Sequence, residues 1–316
     1  MILNFVITAD ILYSMTKTLI VVVGPTAIGK TSLGIKLAKH FNCEIVSADS
    51  RQFYKEMYIG TAVPTPEELE QAKHHFIQHK SIKDTYSVGD FEKDALETLS
   101  KLFKKKEYAI LVGGSGLYVD AVTKGLDSFP EISGDVREAL KKKYDDEGIE
   151  SLQQQLKTLD PTYYEKVDTH NTHRIMRALE VCISSGKPYS SFITKTPKKR
   201  PFNIIKVGIT AERQTIYDRI NQRVDIMIQE GLLDEVKNVY PHKSLNALNT
   251  VGYKEIFEYL EDKWDLDFAI SEIKKNTRRF AKRQLTWFRK DKEILWFDYQ
   301  DDLESVISYI KKRYEE

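Results

Sequence analysis

The feature that most restricts the fold is an eight-residue stretch, Gly24-Pro25-Thr26-Ala27-Ile28-Gly29-Lys30-Thr31, set directly after the apolar run at residues 19–23. It satisfies G-x-x-x-x-G-K-[S/T], a pattern that wraps backbone amides around a phosphate between a buried strand and a helix N-terminus. The run before it is short, β-branched and apolar at every position, as a strand buried on both faces of a parallel sheet must be. Apolar residues then return at roughly helical spacing over residues 31–40, and residues 44–47 read as the next strand. This is a β-loop-α-β unit. In it Lys30 adds a positive charge, and the Thr31 hydroxyl is the candidate ligand for Mg²⁺.

The rest of the chain continues the alternation. Residues 90–103 read as a helix capped by Asp90, residues 108–112 as a third apolar strand ending in Gly113-Gly114, and residues 117–122 as a helix. Apolar density falls between residues 130 and 168, where charged helical segments at 135–144 and 149–159 suggest a small insertion. A stronger amphipathic helix at 174–184 and strands at 204–209 and 294–297 follow. The pattern predicts an α/β fold with a P-loop NTPase-like parallel sheet core, flanked by helices and carrying a small helical insertion domain. Expected boundaries are an N-terminal extension at 1–16, core at 17–125, insertion at 126–171, and core again at 172–316 with a basic C-terminal helix. Met15 is a candidate alternative start.

Composition narrows the class. No apolar run approaches the roughly 20 residues needed to cross a bilayer, and the first fourteen residues lack a basic start and contain Asp10, unlike a signal peptide. Only Cys43 and Cys182 are present, too few for a disulfide framework, which fits a reducing cytoplasm. No coiled-coil pattern appears, so a monomer is expected. The formal charge is +1, so nucleic-acid binding must come from local clustering. Such a cluster exists: Lys274-Lys275, Arg278-Arg279 and Lys282-Arg283 repeat every four residues, with no acid between Lys274 and Lys290. On a helix this makes one positive face, suited to a phosphate backbone, and Arg174, Arg177 and Lys198-Lys199-Arg200 extend the candidate surface.

A phosphate loop alone does not define a reaction. Nucleotide hydrolases need an acid at the end of a neighbouring strand, yet the third strand ends in Gly113-Gly114-Ser115. The nearest strand-terminal acid is Asp49, in Ser47-Ala48-Asp49-Ser50. At the carboxyl end of a parallel strand it can hold a metal, accept a proton or cap the next segment.

These residues resemble the tRNA dimethylallyltransferases, the tRNA isopentenyltransferase family. The resemblance rests on the phosphate loop with its Pro-Thr-Ala portion, on residues 45–62 and 111–118, on Arg174 to Val181, on Val251-Gly252-Tyr253 with Glu255, and on residues 281–288. It spans nearly the whole chain. It implies that dimethylallyl diphosphate is the donor, held through Thr26 to Thr31, and that the acceptor is N6 of the adenosine 3′-adjacent to the anticodon in tRNAs reading codons that begin with U. It also implies that Asp49 is the general base. Asp49, Ser50, Arg51 and Gln52, with His173, Arg174, Ile175, Met176 and Arg177, match tRNA-contacting segments, and Ser115 stands where relatives often carry threonine. Arg223 is the favoured second diphosphate ligand, with Arg219 as the alternative. Lys275, Arg279 and Arg283 are expected to grip the anticodon stem-loop.

Such chemistry needs water excluded from a carbocation-like carbon, which predicts a closed tunnel. The rival readings are an adenylate isopentenyltransferase using free AMP, a P-loop small-molecule kinase, and an RNA-binding module gated by nucleotide.

Overall fold

The computed structural model describes residues 17–194 and 196–315. The expectations for the extension at 1–16, including Met15 as a start, lie outside the described residues. Two compact units emerge, one from residues 17–124 and 199–315, the other from 125–198.

In the first unit, β1 (Thr18–Val23) leads through the phosphate loop into α1 (Lys30–His40) and β2 (Ile45–Ser47). Next come α2 (Pro66–Gln71), β3 (His74–His75), α3 (Val88–Phe103), β4 (Tyr108–Gly113) and α4 (Gly116–Thr123). The sheet order is β3-β2-β4-β1, completed by β5 (Asn203–Thr210) and β6 (Leu295–Asp298), with every pairing parallel. The apolar run of β1 is central: Leu19 pairs with Ala109 on one side and Ile204 on the other. Its side chains alternate between two core layers, as the pleat requires. Leu19, Val21 and Val23 join Phe53, Phe91 and Leu99, whereas Ile20 and Val22 join Leu37, Ile216 and Ile307. The sheet's carboxyl edge therefore gathers the loops after β1, β2 and β4, where open parallel sheets bind ligands.

Two local readings change. The cap of α3 is Ser87, which accepts from the Asp90 amide; Asp90 is three residues inside and returns the bond to the Ser87 amide. The strand β3, only two residues long and polar, lacks the apolar run by which the others were recognised.

After β5 the chain forms α8 (Arg213–Gln229), α9 (Leu232–Val239), α10 (Tyr253–Leu260), the basic helix α11 (Leu266–Phe288) and α12 (Leu303–Glu315). The second unit holds α5 (Gly134–Leu159), broken at Gly148 (φ 78), then α6 (Pro161–Tyr164) and α7 (Thr172–Ser185). Its own small core joins Leu140, Leu152 and Leu156 to Ile175, Ala178 and Leu179. Because α7 packs in that core, the unit runs to residue 198, against an expected insertion boundary at 171.

Candidate functional site

The phosphate loop is shaped by backbone that few residues tolerate. Gly29 caps α1 in the left-handed region (φ 109), and Ala27 also has positive φ (64). At Gly24 a Cβ would stand 2.5 Å from the Ile209 carbonyl oxygen, so only glycine lets β1 leave the sheet beside β5. The amides of Lys30, Thr31 and Ser32 open α1 ahead of its first bond, Leu33 N to Gly29 O, and give the loop its positive potential. Lys30 Nζ donates to the Pro25 carbonyl at 2.8 Å. Burial lowers the Lys30 pKa to about 8; the Asp49 charge opposes that shift and Arg223 adds to it.

Asp49 follows β2 at the same edge of the sheet. Its carboxylate accepts from the Arg51 amide at 3.1 Å, and its own amide donates to Ser47 Oγ at 3.4 Å. Ser115, at the start of α4, binds this turn: its Oγ accepts from the Ser50 amide at 3.2 Å and lies 3.2 Å from Ser50 Oγ. The two candidate arginines separate. Arg223 lines the cleft, its pKa held below the usual value by burial and then by Arg219, while Asp49 acts the other way. Arg219 instead donates to the Ala27 carbonyl at 2.8 Å and lies over the Tyr299 ring.

Thr26, Asp49, Ser115, Arg223, Arg283 and Trp287 all border one cleft of about 690 Å³. That size suits a small-molecule site, roughly 300–1,000 Å³. Its walls come from the loops after β1, β2 and β4 and from α8 and α11.

Neutral and acidic residues that charge counting passes over hold its walls. Glu235 accepts from the amides of Tyr58, Ile59 and Gly60 at 2.8, 2.7 and 2.9 Å, and from Tyr253 Oη at 2.6 Å. Glu255 takes the Gly252 amide and Asn276 Nδ2, both at 2.8 Å. Gln284, on α11, reaches the phosphate loop itself. Glu255 and Gln284 fall in segments that carry the family resemblance, but nothing in their spacing marks them.

Several expected tRNA contacts are engaged elsewhere. Arg51 donates to the carbonyls of Asn246, Ala247 and Asn249, and buried Gln52 donates to those of Thr61 and Ala62. Both fix loops that line the cleft. On α11 the positive face is partly neutralised: Lys274 pairs with Asp225 of α8, and Lys275 with Glu272 one turn earlier. Arg279 donates to Asn276, while Arg283 rests on the Phe280 ring and borders the cleft. In the second unit, His173 and Arg174 are exposed at the start of α7, but Ile175 is buried in the core and Met176 packs on it. Arg177 lies over the Phe129 ring and contacts buried Glu180 at 3.3 Å, which also binds Arg137 at 2.7 Å.

Among the described residues no cluster of three or more His, Cys, Asp or Glu could hold a metal ion. The Thr31 hydroxyl, half-buried on the first turn of α1, is a donor of the kind Mg²⁺ accepts, since that ion keeps most of its shell as water and phosphate oxygen and takes only one or two protein ligands.

A parallel α/β sheet with a phosphate loop after β1, an acid after β2 on the far side of β4, and an arginine close to both defines a P-loop protein that handles a phosphorylated ligand. Residues 52–291 match the model of the family described as IPP transferase. The chain belongs to that family. It is 58% identical over 299 residues to the tRNA dimethylallyltransferase of Christiangramia forsetii, covering 95% of this chain and 99% of the relative. With tRNA dimethylallyltransferase 1 of Bacteroides fragilis it shares 49% over 295 residues, 93% and 98% of the two chains. The fold matches the tRNA isopentenylpyrophosphate transferase of Bacillus halodurans (TM-score 0.70, 36% identity, 95% and 97% covered). It also matches a eukaryotic dimethylallyltransferase acting on tRNA (TM-score 0.78, 25% identity, 94% and 77% covered).

Proposed function

We propose that this chain transfers the dimethylallyl group from dimethylallyl diphosphate to N6 of the adenosine 3′-adjacent to the anticodon, in tRNAs reading codons that begin with U. The observation that carries the reading is the meeting of Thr26, Asp49 and Arg223 on one cleft at the mouth of the phosphate loop.

The amides of residues 28–31, with Lys30 and Arg223, bind the diphosphate and stabilise the charge it gains on leaving. Mg²⁺, held by the Thr31 hydroxyl and the diphosphate, would add to that stabilisation. The adenine N6 is a weak nucleophile, because its lone pair is delocalised into the ring. As its nitrogen bonds the allylic carbon and the carbon–oxygen bond breaks, the N6 proton passes to the Asp49 carboxylate, and diphosphate departs. The adenine must first leave its stack, at a cost of a few kcal/mol that contacts elsewhere on the tRNA offset. Arg283 and Arg279 on α11, and His173, Arg174 and Arg177 on α7, are the groups for those contacts; Arg51, Gln52 and Ser115 act by holding the cleft walls. The chain acts as a monomer in the cytoplasm.

The test is incubation with labelled dimethylallyl diphosphate, Mg²⁺ and either unmodified tRNA or AMP, followed by nucleoside analysis. Label on tRNA adenosine supports the reading. Label confined to AMP would make the chain an adenylate isopentenyltransferase, and label on neither acceptor would reopen the kinase reading.

A further inference from the structure

Gln284 is 6% exposed, and both ends of its carboxamide are engaged. Its Oε1 accepts from the Thr26 amide at 2.8 Å, and its Nε2 donates to the Gly114 carbonyl at 2.9 Å. The seat admits little else, since a Cβ at Gly114 would lie 2.3 Å from Gln284 Nε2. One side chain of α11 therefore ties the outer arch of the phosphate loop to the end of β4.

This contact changes what the loop can bind. A row of phosphoryl groups needs donors along its length. Residues 28–32, where the loop runs into α1, supply the inner ones. In the outer arch, Pro25 has no N–H, and the N–H of Thr26 is occupied by Gln284. The arch carbonyls are also engaged, that of Pro25 by Lys30 and that of Ala27 by Arg219. Only the Ala27 amide remains there as a backbone donor. Two phosphoryl groups can be satisfied by the inner donors, and a third would meet an arch in which the Thr26 amide is already taken and Ala27 alone can donate. We infer that Gln284 is a positioning and specificity-determining residue: it reserves the Thr26 amide and so restricts a loop of nucleotide-binding pattern to diphosphates, excluding triphosphates. The inference rests on the diphosphate-donor reading above and adds the residue that enforces it.

The experiment is calorimetric binding of inorganic pyrophosphate and of inorganic tripolyphosphate, with Mg²⁺, to wild type, Gln284→Met and Gln284→Glu. Methionine keeps the volume and loses both hydrogen bonds; glutamate keeps an acceptor for Thr26 but cannot donate to Gly114. Wild type should prefer pyrophosphate. In Gln284→Met that preference should shrink by about tenfold, the size of one amide hydrogen bond to a charged oxygen. In Gln284→Glu both ligands should weaken through the added charge, with the preference retained. A merely structural role would weaken both ligands alike and leave their ratio fixed. An unchanged ratio in Gln284→Met, with its thermal transition near that of wild type, overturns the inference while leaving the diphosphate site intact. If Gln284→Met does not fold, Gln284→Asn, too short to span both partners, must narrow the ratio in the same way or the inference falls. Wild type that binds neither ligand would instead sink the diphosphate reading itself.

Discussion

Raising the pH from 7 to 9.5 should strip this protein of its affinity for dimethylallyl diphosphate, and Lys30 sets the midpoint. Burial brings its pKa from 10.5 down to about 8, against the pull of Asp49 and with the push of Arg223. Above pH 8 the empty loop loses the ammonium, and at pH 9 only about one molecule in eleven retains it. A bound diphosphate favours the charged form. Binding above pH 8 must then take up a proton, and Kd should rise by about tenfold per pH unit until the pKa of the complex is passed. The ceiling follows from 10.5 − 8, about 3 kcal/mol at 1.36 kcal/mol per pH unit. Folding stability responds in the opposite sense. The folded value lies below the unfolded one, so the buried ammonium costs stability in full below pH 8. That cost is relieved as the pH rises from 8 towards 10.5, where the unfolded chain holds more protons. Loss of donor affinity without loss of fold therefore separates this titration from alkaline unfolding. The assay is calorimetry of dimethylallyl diphosphate at fixed Mg²⁺, in buffers of different ionisation enthalpy so that proton uptake is counted directly. Lys30→Arg, which stays charged throughout, should flatten the profile. A wild-type Kd that is constant to pH 9.5, with no proton uptake, refutes the reasoning.

Asp49→Asn keeps the shape of the turn but removes the base, so single-turnover transfer should slow by roughly 10² to 10⁴ with donor binding maintained; transfer at the wild-type rate would remove Asp49 from the chemistry. Glu235→Ala leaves three consecutive amides and the Tyr253 hydroxyl without their acceptor and should cost about 3 kcal/mol in urea unfolding, whereas a loss below about 1 kcal/mol would mean that the loop finds other partners. Arg283→Ala should weaken tRNA binding more than Lys275→Ala and lower the salt slope by about 1, because Lys275 is already paired with Glu272; equal effects in a filter-binding titration would contradict that ranking.

What the sequence alone determined lies close together along the chain. The strand, the phosphate loop after it and the helix that follows run without a break from Thr18 to His40, and their periodicity is a local property. Asp49 was legible for the same reason, as the first acid after a readable strand. The two-residue β3 was not, because its pairing comes from the neighbouring β2 and not from its own composition. Only the tertiary structure shows how differently Arg219 and Arg223 are placed, although they sit one turn apart on α8: one donates to the Ala27 carbonyl and the other lines the cleft. It also paired Lys274 with Asp225 from another helix and turned Ile175 into the core. Most of all it placed Gln284 on Thr26, 258 residues away, a contact that neither its charge nor its spacing marks. Spacing along the chain fixes which face of an element a residue occupies, but what that face meets is set by how the helices pack on the sheet.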